Sequence, residues 1–118
     1  MVTIVSLRSE RAPEKGPRLG PVNTPREDYY DVWLPVLAPS APLLESARET
    51  DEEWADWCEK YRQEMSAPEP SRILDLLALM SQQANFSVGC YCESETRCHR
   101  SVLRELLLKH GAEVKAQA

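Results

Sequence analysis

No apolar run in this chain of 118 residues approaches the roughly 20 needed to cross a bilayer, so no membrane partner is expected. Met1 to Arg11 carries charge early. It lacks the apolar stretch of roughly 7 to 15 residues and the small-residue cleavage site of a secretory leader, which makes the cytoplasm the expected compartment. Basic charge is not in excess: 14 Lys and Arg against 19 Asp and Glu give a formal charge of −5. That balance excludes a protein that coats nucleic acid by bulk electrostatics and leaves only local patches. Internal repeats and low-complexity segments are absent. So is the Cys-x2-Cys pairing through which structural zinc sites usually take their ligands.

What is present suits one soluble globular domain, with 42% hydrophobic and 28% charged residues. A chain of this length buries roughly two-thirds of its unfolded surface without needing a metal or disulfide as a staple. Its four cysteines, with no export signal, are expected to stay reduced. Val2 to Leu7 is rich in β-branched residues and reads as a buried strand. Residues 8–26 hold Pro13, Pro17, Pro21, Pro25, Gly16 and Gly20, which predicts a long loop without helix or central strand. Arg8, Arg11, Lys15, Arg18 and Arg26 make it basic.

Tyr29 to Leu37 is aromatic and apolar, and Pro35 argues against a central strand there. Thr50 and Glu53 have capping-box spacing and predict a helix whose Trp54, Trp57, Cys58, Tyr61 and Met65 form one apolar stripe. Pro68 and Pro70 are expected to end it, with Ser71 opening another helix through Ile73, Leu74, Leu76, Leu77 and Met80 to about Gln83. Phe86 to Cys92 reads as a second strand with Phe86, Val88, Cys90 and Cys92 on one face. Cys90 and Cys92 are expected to serve as small core residues. Thr96 is the expected N-cap of a last helix lined by Val102, Leu103, Leu106 and Leu107 and stopped at Gly111, with residues 112–118 a loose tail.

The turn into that last helix is where chemistry concentrates. The first amides of a helix are unpaired and its dipole is positive there, so the turn is a ready anion site. Arg97, Arg100 and Arg104 add guanidinium forks, Arg100 and Arg104 lying four apart. The competing expectation is a surface network in which Glu93, Glu95 and Glu105 pair with these arginines. Cys98, placed at the second helical position, feels the dipole, Arg97 and His99, all of which lower a thiol's pKa and make it a candidate nucleophile. Its Cys-x5-Arg match to cysteine phosphatases lacks the loop that motif requires. Cys90, Cys92, Cys98 and His99 are also the residue types of a zinc site. A strand pair followed by an adjacent Cys-His on a helix, however, is expected to send side chains apart, so no metal is expected.

Cys90-Tyr91-Cys92-Glu93, then Cys98-His99-Arg100-Ser101 with Leu103, Leu106 and Leu107, resembles the C-terminal signature of the family named domain of unknown function 488. Trp33-Leu34-Pro35, Leu37-Ala38-Pro39-Ser40, and Trp54 with Tyr61 resemble its middle region. The resemblance implies a small bacterial-type α/β protein with a central sheet and no established reaction. On the residues themselves we expect an α/β single domain with a central, mainly parallel sheet flanked by helices. Val2 to Leu7 and Phe86 to Cys92 should lie side by side, with further strands from 18–24 and 29–34. Ligands of such sheets bind beyond the strands' carboxyl ends, which puts Arg8 on the same rim as the Cys-His-Arg turn.

The expected function is recognition of a small anionic ligand or nucleic-acid phosphate by Arg100, Arg97, Arg104 and Arg8. Cys98 and His99 are the candidate catalytic pair, and no cofactor is expected. The rival is a non-catalytic interaction module that presents Tyr29, Tyr30, Trp33, Trp54 and Trp57 to a partner.

Overall fold

The computed structural model describes residues 1–22, 29–91 and 97–116. Arg26, Cys92, Glu93, Glu95 and Thr96 lie outside the described residues. Four strands, β1 (Val2–Ser6), β2 (Arg18–Gly20), β3 (Val32–Trp33) and β4 (Phe86–Cys90), form one sheet in the order β1-β4-β2-β3, parallel throughout. Among the described residues four α-helices accompany it: α1 (Ala41–Glu45), α2 (Asp51–Met65), α3 (Pro68–Ser81) and α4 (His99–Lys109). The fold is the expected small α/β domain, and β1 and β4 pair along their whole length, Val2 opposite Phe86 and Ser6 opposite Cys90.

Central β4 is buried at all five positions because both faces are covered. Phe86 and Val88 point into the main core with Trp57, Tyr61, Leu74, Leu103 and Leu107. On the opposite face the Ser87 hydroxyl donates to the Lys15 carbonyl at 3.0 Å. The segment around Lys15 thus covers the sheet, and its continuation supplies the further strand expected within 18–24; the correction is that, despite four prolines nearby, this strand, Arg18–Gly20, is interior, between β4 and β3. Three residues between Pro17 and Pro21 suffice, since the prolines flank the ladder and do not enter it. β3, cut short before Pro35, remains a two-residue exposed edge.

The helices follow local chemistry. Thr50 Oγ1 accepts the Glu53 amide and Glu53 Oε1 accepts the Thr50 amide, both at 3.1 Å, closing the anticipated capping box. The α2 stripe then buries Trp57, Cys58, Tyr61 and Met65. Two polar tips find carbonyls inside the core: Trp57 Nε1 donates to Leu43 at 2.9 Å and the Tyr61 hydroxyl to Leu37 at 2.6 Å. These bonds tie the chain around α1 to α2. Pro68 and Pro70 do not interrupt the chain between helices. They occupy the first turn of α3, capped by Ala67, where a missing N–H has no helical partner to lose. The helix therefore starts three residues before Ser71.

Gly111, at φ +92°, ends α4 as expected. The tail beyond it is held at its start, because Val2 N–H donates to Glu113 and Lys115 N–H to Val2, both at 2.8 Å. Among the described residues no helix is long and apolar enough to cross a membrane.

Candidate functional site at the head of α4

The carboxyl ends of β1, β4 and β2 converge on a second, smaller buried cluster made of Leu7, Val22, Tyr30, Cys90 and Cys98. Its geometry depends on where α4 begins. Cys98 is the N-cap, with extended φ −112° and ψ 146°, and His99 is the first helical residue. Cys98 thus lies just outside the helix and not at its second position. The change of backbone conformation between Cys98 and His99 lets adjacent side chains turn to a common point, against the expected divergence. Cys90 Sγ, Cys98 Sγ and a His99 ring nitrogen all lie within 4.8 Å of one another, and all three residues are buried. These are soft donors of the kind that hold zinc. Cys92, the fourth residue of the zinc comparison, is outside the described residues.

Cys90 and Cys98 place their sulfurs 2.7 Å apart. His99 Nε2 lies 3.0 Å from the Pro21 carbonyl at the end of β2. A carbonyl only accepts, so Nε2 carries the proton and Nδ1 is left for the sulfur. The Cys98 thiol is held far below its ordinary range, first by the hydrogen bond from Cys90, then by the bond and charge of His99 and by the Arg100 backbone amide. Burial works in the opposite direction and loses. Tyr61 sets its ring edge-on to His99 with centroids 5.7 Å apart. Its own phenol is pushed up by burial, then by the negative charge of Cys98, so it stays protonated.

The arginines divide. Arg100 is only 3% exposed, and among the described residues its Nε and Nη2 have no hydrogen-bond partner. Arg97 is engaged elsewhere: Nη1 donates to the carbonyls of Arg48 at 3.2 Å and Thr50 at 2.7 Å, and Nη2 meets Asp51 Oδ1 at 2.6 Å. Those bonds hold Arg97 in a left-handed backbone at φ +52°, a conformation that surrounding contacts must enforce for a residue with a Cβ. They also fasten the turn to the start of α2. Arg104 donates to the Lys115 carbonyl at 2.8 Å, beside the segment paired to Val2 at the amino end of β1. Arg8 is exposed immediately beyond Leu7, on the expected rim. Glu105 is paired with Arg62 of α2 through contacts at 2.8 and 3.2 Å.

Two contributors carry no recognisable sequence signal. Arg18 reads as one more loop charge, yet it is 4% exposed and donates to Leu7 O at 3.1 Å, Ser9 Oγ at 3.1 Å and Glu10 O at 2.8 Å. It pins the chain that leaves β1, and burial is the main reason its pKa falls. The other is the Pro21 carbonyl, which orients His99; a backbone acceptor is invisible to residue-type reasoning.

Comparison with known proteins agrees with the residues at this turn. A family model, DUF488-N3a, described as the active DUF488-N3 subclade, matches residues 2–111. No curated protein and no solved structure matches the chain. The match spans the sheet, the helices and the Cys-His-Arg turn together, and on that coverage the chain belongs to the DUF488 family.

Proposed function

We propose that this domain recognises an anionic group, a nucleotide or nucleic-acid phosphate, at the head of α4, and that Cys98 and His99 act on what is held there. The observation that carries this reading is Arg100, a guanidinium buried with Nε and Nη2 unpartnered among the described residues. Those two nitrogens form one edge of the guanidinium, the edge that grips two oxygens of a phosphate or carboxylate in parallel. An uncompensated buried charge costs several kcal/mol, so an incoming anion would supply the partner that these two nitrogens lack among the described residues. The positive end of the α4 dipole favours the same sign of charge.

Cys98 supplies the nucleophile as a thiolate, and an imidazolium at His99 can return a proton to a leaving group. Pro21 fixes the ring for that task. Arg8 adds positive charge at the rim. Arg97 and Arg104 contribute through the bonds they already make, by fixing the turn and the helix.

The aromatic-surface alternative draws less support. Trp57 and Tyr30 are buried, Trp54 stacks on Trp57 with centroids 5.4 Å apart, and among the described aromatics only Trp33 is exposed.

Calorimetric titration with inorganic phosphate and with adenosine monophosphate at fixed salt tests the proposal. Bidentate recognition predicts that Arg100→Lys, which keeps charge but loses the fork, weakens binding nearly as much as Arg100→Ala, by about 1.5 to 3 kcal/mol. Unchanged affinity in both variants ends it.

A further inference from the structure

Beyond its hydrogen bond to Cys98, Cys90 has no part in the anion chemistry above, yet among the described residues it is the nearest sulfur to the proposed nucleophile. We propose that Cys90 and Cys98 are a reversible disulfide modification site, formed with a hydroperoxide as oxidant, that switches the Cys98 nucleophile off. The inference rests on the reading of Cys98 as a nucleophile but requires no anion.

The two sulfurs stand 2.7 Å apart, one at the end of β4 and one at the N-cap of α4, and both residues are 2% exposed. A disulfide needs about 2.05 Å between sulfurs. Two thiolates sharing a tetrahedral zinc ion, each bonded at about 2.3 Å, would sit about 3.7 Å apart. The pair is therefore nearer to the bonded arrangement than to the metal-bridged one, and among the described residues the metal-donor cluster offers only His99 as a third ligand. Among the described residues Leu7, Val22 and Tyr30 share the buried cluster with the two sulfurs. Cys58 lies in the main core and takes no part.

The chemistry balances in two steps. The Cys98 thiolate attacks one oxygen of a hydroperoxide, the O–O bond breaks, and an S–O bond forms as hydroxide or alkoxide departs. The Cys90 thiol then attacks the Cys98 sulfenic sulfur, the S–O bond breaks, and the thiol proton leaves with the hydroxyl as water. Two electrons have passed from the sulfurs to the peroxide. A small-molecule dithiol reverses the change by exchange.

The test uses the full chain, first reduced and then exposed to hydrogen peroxide. After denaturation in alkylating agent, trypsin and chymotrypsin cut behind Arg97 and Tyr91 and release Cys90, Cys92 and Cys98 on separate peptides. The expected result is loss of two alkylatable thiols of the four, recovery of a Cys90–Cys98 linked peptide, and restoration of both thiols by dithiothreitol, with Cys58 labelled throughout. In Cys90→Ser, the stranded sulfenic acid at Cys98 should be trapped by dimedone.

A cross-link from Cys98 to Cys92 overturns the proposal. So does recovery of Cys98 as sulfinic acid with Cys90 still alkylatable, or one zinc per chain shielding both thiols from peroxide. Because no anion enters the readout, failure here and failure of the phosphate titration are separately visible.

Discussion

The two buried clusters of this domain differ in what their polar atoms are doing. In the main core under α2, α3 and α4, Trp57 and Tyr61 are 1% and 0% exposed, and each delivers its polar tip to a carbonyl. The small cluster at the strand ends is equally buried, yet it gathers two close sulfurs, a histidine tied to a strand-end carbonyl, and, two residues past Cys98, a guanidinium with two nitrogens unpartnered among the described residues. The first arrangement minimises free energy within the chain. The second keeps polar capacity unspent, which a protein tolerates where a ligand or a reaction uses it.

Substitutions should separate the clusters. The largest effect belongs to the main core: Leu103 is 0% exposed, and Leu103→Ala should cost about 2–5 kcal/mol in urea denaturation through lost transfer energy and a residual cavity. A cost below about 1 kcal/mol would mean that this core collapses around the gap, and the contrast would weaken. At the other cluster the sign should reverse. Arg100→Met replaces a buried charge, two of whose nitrogens are unpartnered among the described residues, by an apolar chain, so without added anion it should raise stability by about 1–4 kcal/mol while weakening phosphate binding as Arg100→Ala does. Destabilisation together with intact binding would show that the guanidinium has a structural partner.

The thiols sharpen the same contrast. Burial raises the pKa of Cys58 in the main core, whereas the Cys90 hydrogen bond lowers that of Cys98. Alkylation followed by mass spectrometry should label Cys98 at lower pH than Cys58, and Cys90→Ala should move the Cys98 profile upward. Equal profiles in the unmodified chain would remove the nucleophile. Linkage has a definite sign here: for a thiol with a depressed folded pKa, the stability gained is fully present above the unfolded value of about 8.5 and is lost as pH falls through the folded one. Cys98→Ser should therefore cost most stability near and above neutral pH and progressively less in acid.

The smallest effect is expected on the solvent side of the α2–α4 contact. The Arg62–Glu105 pair is 38% and 56% exposed by side chain, and Glu105→Gln should change thermal stability by under about 1 kcal/mol, less in high salt.

Where sequence patterns succeeded, the deciding forces are local or periodic. The capping box at Thr50 and Glu53 closes within one turn, and the stripe from Trp57 to Met65 repeats at the helical period. Phe86, Val88 and Cys90 share a face because strand geometry alternates. The misjudged elements are those where proline has two meanings. Pro68 and Pro70 break a helix interior but suit a first turn, and the prolines around Arg18 exclude long strands while permitting one of three residues.

Legible in the residues alone were the α/β class, the pairing candidates for β1 and β4, the helix faces, and the clustering of cysteine, histidine and arginine at one strand-to-helix turn. These follow from spacing along the chain, which backbone geometry converts directly into direction. Folding in three dimensions settled that Arg100 keeps Nε and Nη2 unpartnered among the described residues, that Arg18 is a buried brace, and that Pro21 holds His99. It also decided that Cys90 and Cys98 meet, eight residues apart across a strand end and a helix cap. These depend on burial and, for Arg18 and His99, on backbone carbonyls brought from other segments, and neither is encoded in the identity of the residue they act upon.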